Sequence, residues 1–385
     1  MLATRTSSLL IPLLLLGFGV GIPRYVAYYE SKDANGGFDN YLIAGIGIIG
    51  TLVLLTSALF LFFRNQCALL FYGDDAYSGL IGPMLILIAG TILHNVAYSY
   101  YRGRLHMGKA NLLQLINSGL IPPLVFWLNG KSASSAMASI GLMSMATTGV
   151  LLLPTLFTLH FKREEFIIDT GKLLRYSSVR VPGDFALMAI YSLPTFYAAH
   201  ALSIEKAGMV AFSTSLVTKI GYLFSPISII LLPEASRLIV QRKFLDLQKQ
   251  FKQLFYGAML ITSAVVLPFI MFSKWIIGIY LGPGFIPAAH IASINMLAAW
   301  PLAIYFISRS IIDAYYTKPV NAQNLLISLG VLLVLGCMSI MVEQKSDQAG
   351  VIIQVIAITV LGLLSFNEVR AIFKGSFAKS ESIAG

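Results

Sequence analysis

The chain has 385 residues, 57% of them hydrophobic and 11% charged, with a formal net charge of +10. Soluble domains run at about 45–50% apolar and about 25% charged, so this composition excludes a soluble globular domain and points to an integral membrane protein. Cys67 and Cys337 lie far apart in or beside apolar runs, supply neither a disulfide framework nor metal-ligand spacing, and imply no cofactor.

Stretches of about 20 apolar residues suffice to cross a hydrocarbon core about 30 Å thick. They are read at 8–29, 41–63, 78–101, 111–129, 136–160, 181–200, 208–232, 256–273, 288–313, 321–342 and 349–367. The expected fold class is therefore an all-α membrane protein of about eleven transmembrane helices. Arg5 ahead of an apolar core would suit a signal peptide, but the run is long and no small-x-small cleavage site follows it, so a retained helix is expected.

The basic residues divide unevenly between the connections. If the C-terminus is cytoplasmic, the inside segments 30–40, 102–110, 161–180, 233–255, 314–320 and 368–385 carry 18 Lys and Arg; the outside segments carry 6. Because Lys and Arg resist translocation, this bias orients the helices with the C-terminus inside and the N-terminus outside. It accounts for the basic excess without nucleic acid. Three cations remain within spans: Arg24, Lys219 and Arg309.

Three landmarks recur near one offset. Pro23 and Pro233 are each expected to close a helix, Gly73 and Gly282 each follow the next helix, and Lys109 and Lys318 follow the one after. These equivalent places suggest a parallel repeat of the kind used by transporters, with substrate met at the interface of two lobes. The expected division is an N-terminal lobe of five helices at 1–160, a cytoplasmic connection at 161–180 and a C-terminal lobe of six helices at 181–385. The helix at 181–200 has no counterpart in the first lobe.

The stretch LGFGVGIPRYVAYY (16–29) resembles the end of the second helix of the polysaccharide exporters and lipid-linked oligosaccharide flippases of the multidrug/oligosaccharidyl-lipid/polysaccharide superfamily. GMVAFSTSLVTKIGYLFSPISIILLPEASRL (208–238) resembles the eighth helix of that family, and IYLGPGFIPAAHIASINMLAAWPL (279–302) its external turn and tenth helix. The likeness covers nearly the whole chain through loose motifs and departs from the two six-helix lobes of the family by an apparently missing first helix. It implies an inner-membrane transporter, not an enzyme, that moves an undecaprenyl-pyrophosphate-linked sugar unit to the outer leaflet by alternating access. The implied partners are the lipid-linked oligosaccharide, membrane lipid and other polysaccharide-assembly membrane proteins.

A pyrophosphate headgroup calls for fixed positive charge, as a planar Arg donor or a Lys point charge. Lys219, Arg24 and Arg309 are thus the candidate substrate-binding residues. Lys219 is placed near the middle of its span, with no acid among its helical neighbours, and needs either a watery cavity or a partner on another helix. Arg24, after Pro23 and within a run containing Gly17, Gly19 and Gly21, could grip the headgroup or snorkel to the cytoplasmic face.

Asp184 and Asp313 are the candidate ion-coupling or counter-ion residues, each also four residues from an arginine (Arg180 and Arg309) with which it could pair locally. His94, His200 and His290 read as interfacial packing. The segment 233–255 places Leu238, Phe244, Leu247, Phe251 and Leu254 on one side, a pattern expected of a helix lying on anionic lipid. A cation-coupled multidrug antiporter and a membrane polysaccharide polymerase are the rival functions. The polymerase lacks a sizeable outer loop and any catalytic constellation, whereas the antiporter is kept open by the two acids.

Overall fold

The computed structural model describes the backbone of residues 2–30, 38–129, 132–316, 318–341 and 346–384. Lys32, Lys131 and Lys345, counted above in loops, lie outside them. All regular structure among the described residues is helical. The chain divides into two compact units, one spanning Ala3–Phe185 and the other running from Ala186 onward.

The first unit begins with α1 (Leu2–Leu15) and α2 (Phe18–Glu30), bent by 41° at their junction. The break lies at Leu16 and Gly17, both at positive φ (49° and 71°). Glycine suits that left-handed conformation because it carries no Cβ, and a Cβ on Gly17 would also strike the backbone of Ser177. Pro23 lies inside α2, which continues to Glu30. Then come α3 (Asp39–Phe62), α4 (Arg64–Tyr72), a 3-10 turn (Asp75–Leu80) and α5 (Ile81–Gly103). After them, α6 (Met107–Gln114) passes through a π-helical stretch (Leu115–Leu120) into α7 (Ile121–Asn129), followed by α8 (Ala133–Phe157) and α9 (Arg163–Ser178). The segment expected as a connection, 161–180, is thus mostly α9, which packs on α2 and α3 within this unit.

The boundary between units falls inside α10 (Val181–Ala201). The second unit continues with α11 (Ile204–Tyr222), α12 (Ser225–Val240), α13 (Phe244–Leu281), a 3-10 turn (Pro283–Phe285), α14 (Ala288–Met296), α15 (Ala299–Tyr315), α16 (Val320–Met341) and α17 (Asp347–Ala384). Its element order repeats that of the first unit. A helix broken near its middle (α1–α2, then α11–α12) leads to a long helix, a 3-10 turn and three further helical spans. Gly73 and Gly282, the landmarks of the repeat, both end their helices at positive φ (79° and 91°).

Nine helical segments among the described residues are long and apolar enough to cross a membrane, and the bent pair α1–α2 makes a tenth. The protein is an all-α, multi-pass membrane protein. The remaining expected span, 181–200, is helical as α10 but falls outside this group. Asp184, Pro182, Pro194, Tyr191 and Tyr197 make it less apolar than the others.

The segment 233–255 is not one surface helix. It contains the end of α12, a turn at 241–243 and the start of α13. Its apolar stripe faces inward: Leu238, Leu247 and Phe251 are buried, and the Phe251 ring lies 6.4 and 6.0 Å from those of Phe366 and Phe373 on α17. A stripe this regular serves equally as a packing seam, and here α17 consumes it.

Candidate functional site

In the first unit, polar side chains hold α9 against α2 and α3, and Tyr100 of α5 joins the same network through Asp39. Asp39 and Asn40 open α3, a position that favours an acid through the helix dipole. Buried Asp39 accepts a 2.5 Å bond from the Tyr100 hydroxyl and a 2.9 Å bond from the backbone N–H of His160. Fully buried Asn40 donates to the Lys162 carbonyl (3.0 Å) and to Asp169 (3.2 Å), and accepts from the Lys162 N–H (3.1 Å). Asp169, itself buried on α9, also accepts from the Tyr41 hydroxyl and from Lys172 Nζ, each at 3.1 Å. Lys172 donates in turn to the Tyr29 hydroxyl at 2.9 Å, and this hydrogen bond, with help from Asp169, raises the lysine pKa above 10.5.

Beside this anchor, α9 supplies the Tyr176 ring on which two cations meet, Arg24 of α2 and Arg180 just beyond the end of α9. The Arg24 guanidinium carbon lies 4.3 Å from the Tyr176 centroid and that of Arg180 lies 4.5 Å from it. Tyr25 meets the same ring edge-on at 5.6 Å. Among the described residues neither arginine makes an ion pair. The two guanidiniums therefore lie within about 9 Å of each other, repelling by at least roughly 0.5 kcal/mol even at the dielectric of water, and the ring face answers them only in part. Arg24 is exposed and Arg180 half-buried, so the positive charge is accessible. The sequence spacing did not join Arg24 to Tyr176 and Arg180, which lie some 150 residues away. Arg180 turns back onto Tyr176, and half-buried Asp184 stands in the first turn of α10.

A second polar network crosses α5, the π-helical stretch and α8. Asn117 Nδ2 donates to His94 Nδ1 (2.9 Å) and to the Thr148 hydroxyl (2.9 Å), while Thr147 donates to Asn117 Oδ1 (2.6 Å). Because Nδ1 accepts, the ring proton sits on Nε2 and points at Gln114 Oε1, 3.1 Å away. His94 is thus a neutral, buried packing residue inside a span, not an interfacial one.

In the second unit, Lys219 lies in the last turn of α11, because the helix breaks after Tyr222 instead of running on to 232. The negative end of the helix dipole at that break favours a cation by about 0.3–1 kcal/mol. Within the span 204–228, two thirds buried, Lys219 is exposed alongside half-buried Ser215 and exposed Tyr222. Among the described residues no ion pair or hydrogen bond reaches its ammonium.

Arg309 and Asp313 do come together. Arg309 Nε lies 3.8 Å from Asp313 Oδ2, and Asn321 Nδ2 donates both to Asp313 Oδ1 (2.7 Å) and to the Arg309 carbonyl (2.9 Å). This cluster staples the end of α15 to the start of α16. Deeper in the same unit, fully buried Asn295 donates to Ser213 (2.9 Å), Thr214 (3.2 Å) and Gln354 (3.2 Å), and Gln354 donates to the Ile190 carbonyl (3.0 Å). Among the described residues no group of His, Cys, Asp and Glu is arranged to hold a metal ion.

The sequence matches no protein-family model and no curated protein. Solved structures do match. An inward-facing multidrug resistance MATE family transporter of the MOP superfamily aligns over 98% of this chain and 92% of its own, at 15% identity and a TM-score of 0.77. The chain has the fold of the MOP-superfamily transporters. The lipid II flippase MurJ, in an inward closed conformation, aligns over 95% and 81% at 15% identity and a TM-score of 0.71. A MOP superfamily transporter from Pyrococcus furiosus, described as having a binding pocket of reverse polarity, aligns over 96% and 86% at 15% identity and a TM-score of 0.69. These three neighbours are transporters and a flippase, not enzymes.

Proposed function

We propose that the protein is a flippase for an amphiphile with a phosphorylated headgroup, of which an undecaprenyl-pyrophosphate-linked oligosaccharide is the best-fitting class. It would work by alternating access in the plasma membrane, with the C-terminus cytoplasmic. The observation that carries this reading is the cation pair Arg24 and Arg180 on Tyr176, exposed in part and unmatched by any acid among the described residues. A diphosphate supplies the missing negative charge, and guanidinium recognises it through paired N–H donors. Lys219, exposed at the end of α11 and without an ion-pair partner among the described residues, offers a second cation in the other unit. Arg309 directs its charge at Asp313 and is set aside as a headgroup ligand. The likeness to MurJ supports a lipid-linked substrate, and the residues of this chain supply the charge.

A cation-coupled multidrug antiporter is the second reading. It is favoured by the MATE likeness and by two buried acids, Asp39 and Asp169. Deleting the gene in the native host separates the two. Lipid-linked sugar units should accumulate, wild type should clear them, and Arg24→Gln with Arg180→Gln should not. Full clearance by the double variant would remove the cation pair from the mechanism. Drug sensitivity without accumulation would favour the antiporter.

A further inference from the structure

The turn between α12 and α13 holds a feature independent of that reading. The chain reverses over three residues, with Arg242 at positive φ (57°) and the Lys243 N–H bonded back to the Leu238 carbonyl at 2.9 Å. Beside the turn lies a surface cavity of about 500 Å³ whose charged lining is Glu234, Arg237, Lys243, Asp246 and Lys249. Glu234 is already engaged: it accepts a 2.7 Å bond from Arg237, which holds its carboxyl below the usual range. That leaves Lys243 and Lys249 against Asp246, with Arg242 and Lys252 next in sequence. Among the described residues none of these four cations makes an ion pair. The site is net positive.

Two large apolar side chains flank the turn in full exposure, Val240 at 83% and Leu245 at 70%. In water such exposure has no return; at the edge of a bilayer it anchors the turn. α13 is kinked at Phe272 (φ −115°, ψ 19°), and its first arm, up to that kink, is roughly 42 Å long at 1.5 Å per residue, longer than a hydrocarbon core of about 30 Å. Its apolar window must therefore leave one end outside, and the charge in FLDLQKQFKQLF assigns that to the first turns, from Phe244. The cavity thus lies where headgroups meet acyl chains.

We propose that this cavity binds the phosphate headgroup of an anionic phospholipid, with Lys243 and Lys249 contacting the phosphate and Val240 and Leu245 dipping into the acyl region. The ligand chemistry is a phosphodiester on a lipid, not a soluble anion. Each lysine near an anionic surface contributes about fivefold in affinity, so the pair contributes about 25-fold.

The test uses the full chain in nanodiscs of phosphatidylcholine alone or with rising fractions of phosphatidylglycerol, read by amide hydrogen exchange over 238–250. Exchange should slow as phosphatidylglycerol rises. In Lys243→Gln/Lys249→Gln the midpoint should move to about 25-fold higher phosphatidylglycerol or out of range, with exchange in α11 unchanged to show that the variant is folded. Arg64→Gln, which removes a charge elsewhere, should behave as wild type. Equal exchange in both lipids, an unshifted midpoint in the double variant, or the same slowing by millimolar inorganic phosphate in phosphatidylcholine would each overturn the proposal.

Discussion

Asp169→Ala tests how α9 is attached. The carboxylate is buried and takes three side-chain donors: Tyr41, Asn40 and Lys172. On its removal Asn40 keeps the Lys162 carbonyl, and Lys172, exposed over 42% of its side chain, turns to water and Tyr29. The Tyr41 hydroxyl, fully buried, is left with only the Tyr29 hydroxyl that Lys172 already engages, which costs about 1–3 kcal/mol. Loss of the charge-assisted bond to a half-exposed lysine adds on the order of 1 kcal/mol, giving about 2–4 kcal/mol in all. Because α9 is a peripheral helix, this cost should appear as local opening. Hydrogen exchange of the 163–178 amides should accelerate by about 30- to 1000-fold, with α5 and α8 unaffected. Unchanged exchange in α9 would refute the claim that this cluster holds the helix.

Three further outcomes follow from the same unit. Gly21→Val places a side chain against Ser177 and Leu173 and should destabilise the α2–α9 contact by about 1–3 kcal/mol, seen as a lower melting temperature; Gly79→Val, at a glycine with open space around it, should not. Asn117→Leu breaks the His94 and Thr147 bonds but should cost only on the order of 1–2 kcal/mol, because side-chain hydrogen bonds within membranes average about 0.6 kcal/mol; thermal unfolding in detergent checks this. Lys172 has a folded pKa above 10.5, so its contribution is fully present below that value and fades as pH rises through the folded pKa. Protease cleavage within α9 should therefore increase as the pH rises above 10.5 in wild type, with a smaller increase in Lys172→Met.

The helices were legible because hydropathy reports them directly: each of the eleven expected spans contains helix, and the weakest, α10, is the one carrying Asp184. The repeat was legible through Gly73 and Gly282, because a helix end at positive φ favours glycine. The helix breaks were not. Gly17 and Pro226 stand beside the two interruptions, but glycine and proline are also common inside membrane-spanning helices, so neither marks a break by itself, and the place of Lys219 beside one depends on the tertiary fold. The amphipathic stripe at 233–255 was visible, but its partner was α17, more than 100 residues away. Arg309 with Asp313 was readable at four-residue spacing, whereas Arg24 with Tyr176 and Asp39 with Tyr100 depend on tertiary approach.

The central claim is that the Arg24–Tyr176–Arg180 cluster grips a phosphorylated headgroup during its passage between leaflets. The most direct measurement is reduction of a fluorescent polyprenyl-pyrophosphate sugar in proteoliposomes, where a membrane-impermeant quencher reports the outer-leaflet fraction over time. Wild type should move the lipid, and Arg24→Gln/Arg180→Gln should slow the initial rate roughly tenfold or more, since each charged hydrogen bond contributes about 1.5–3 kcal/mol. Equal rates for wild type and the double variant would contradict the account.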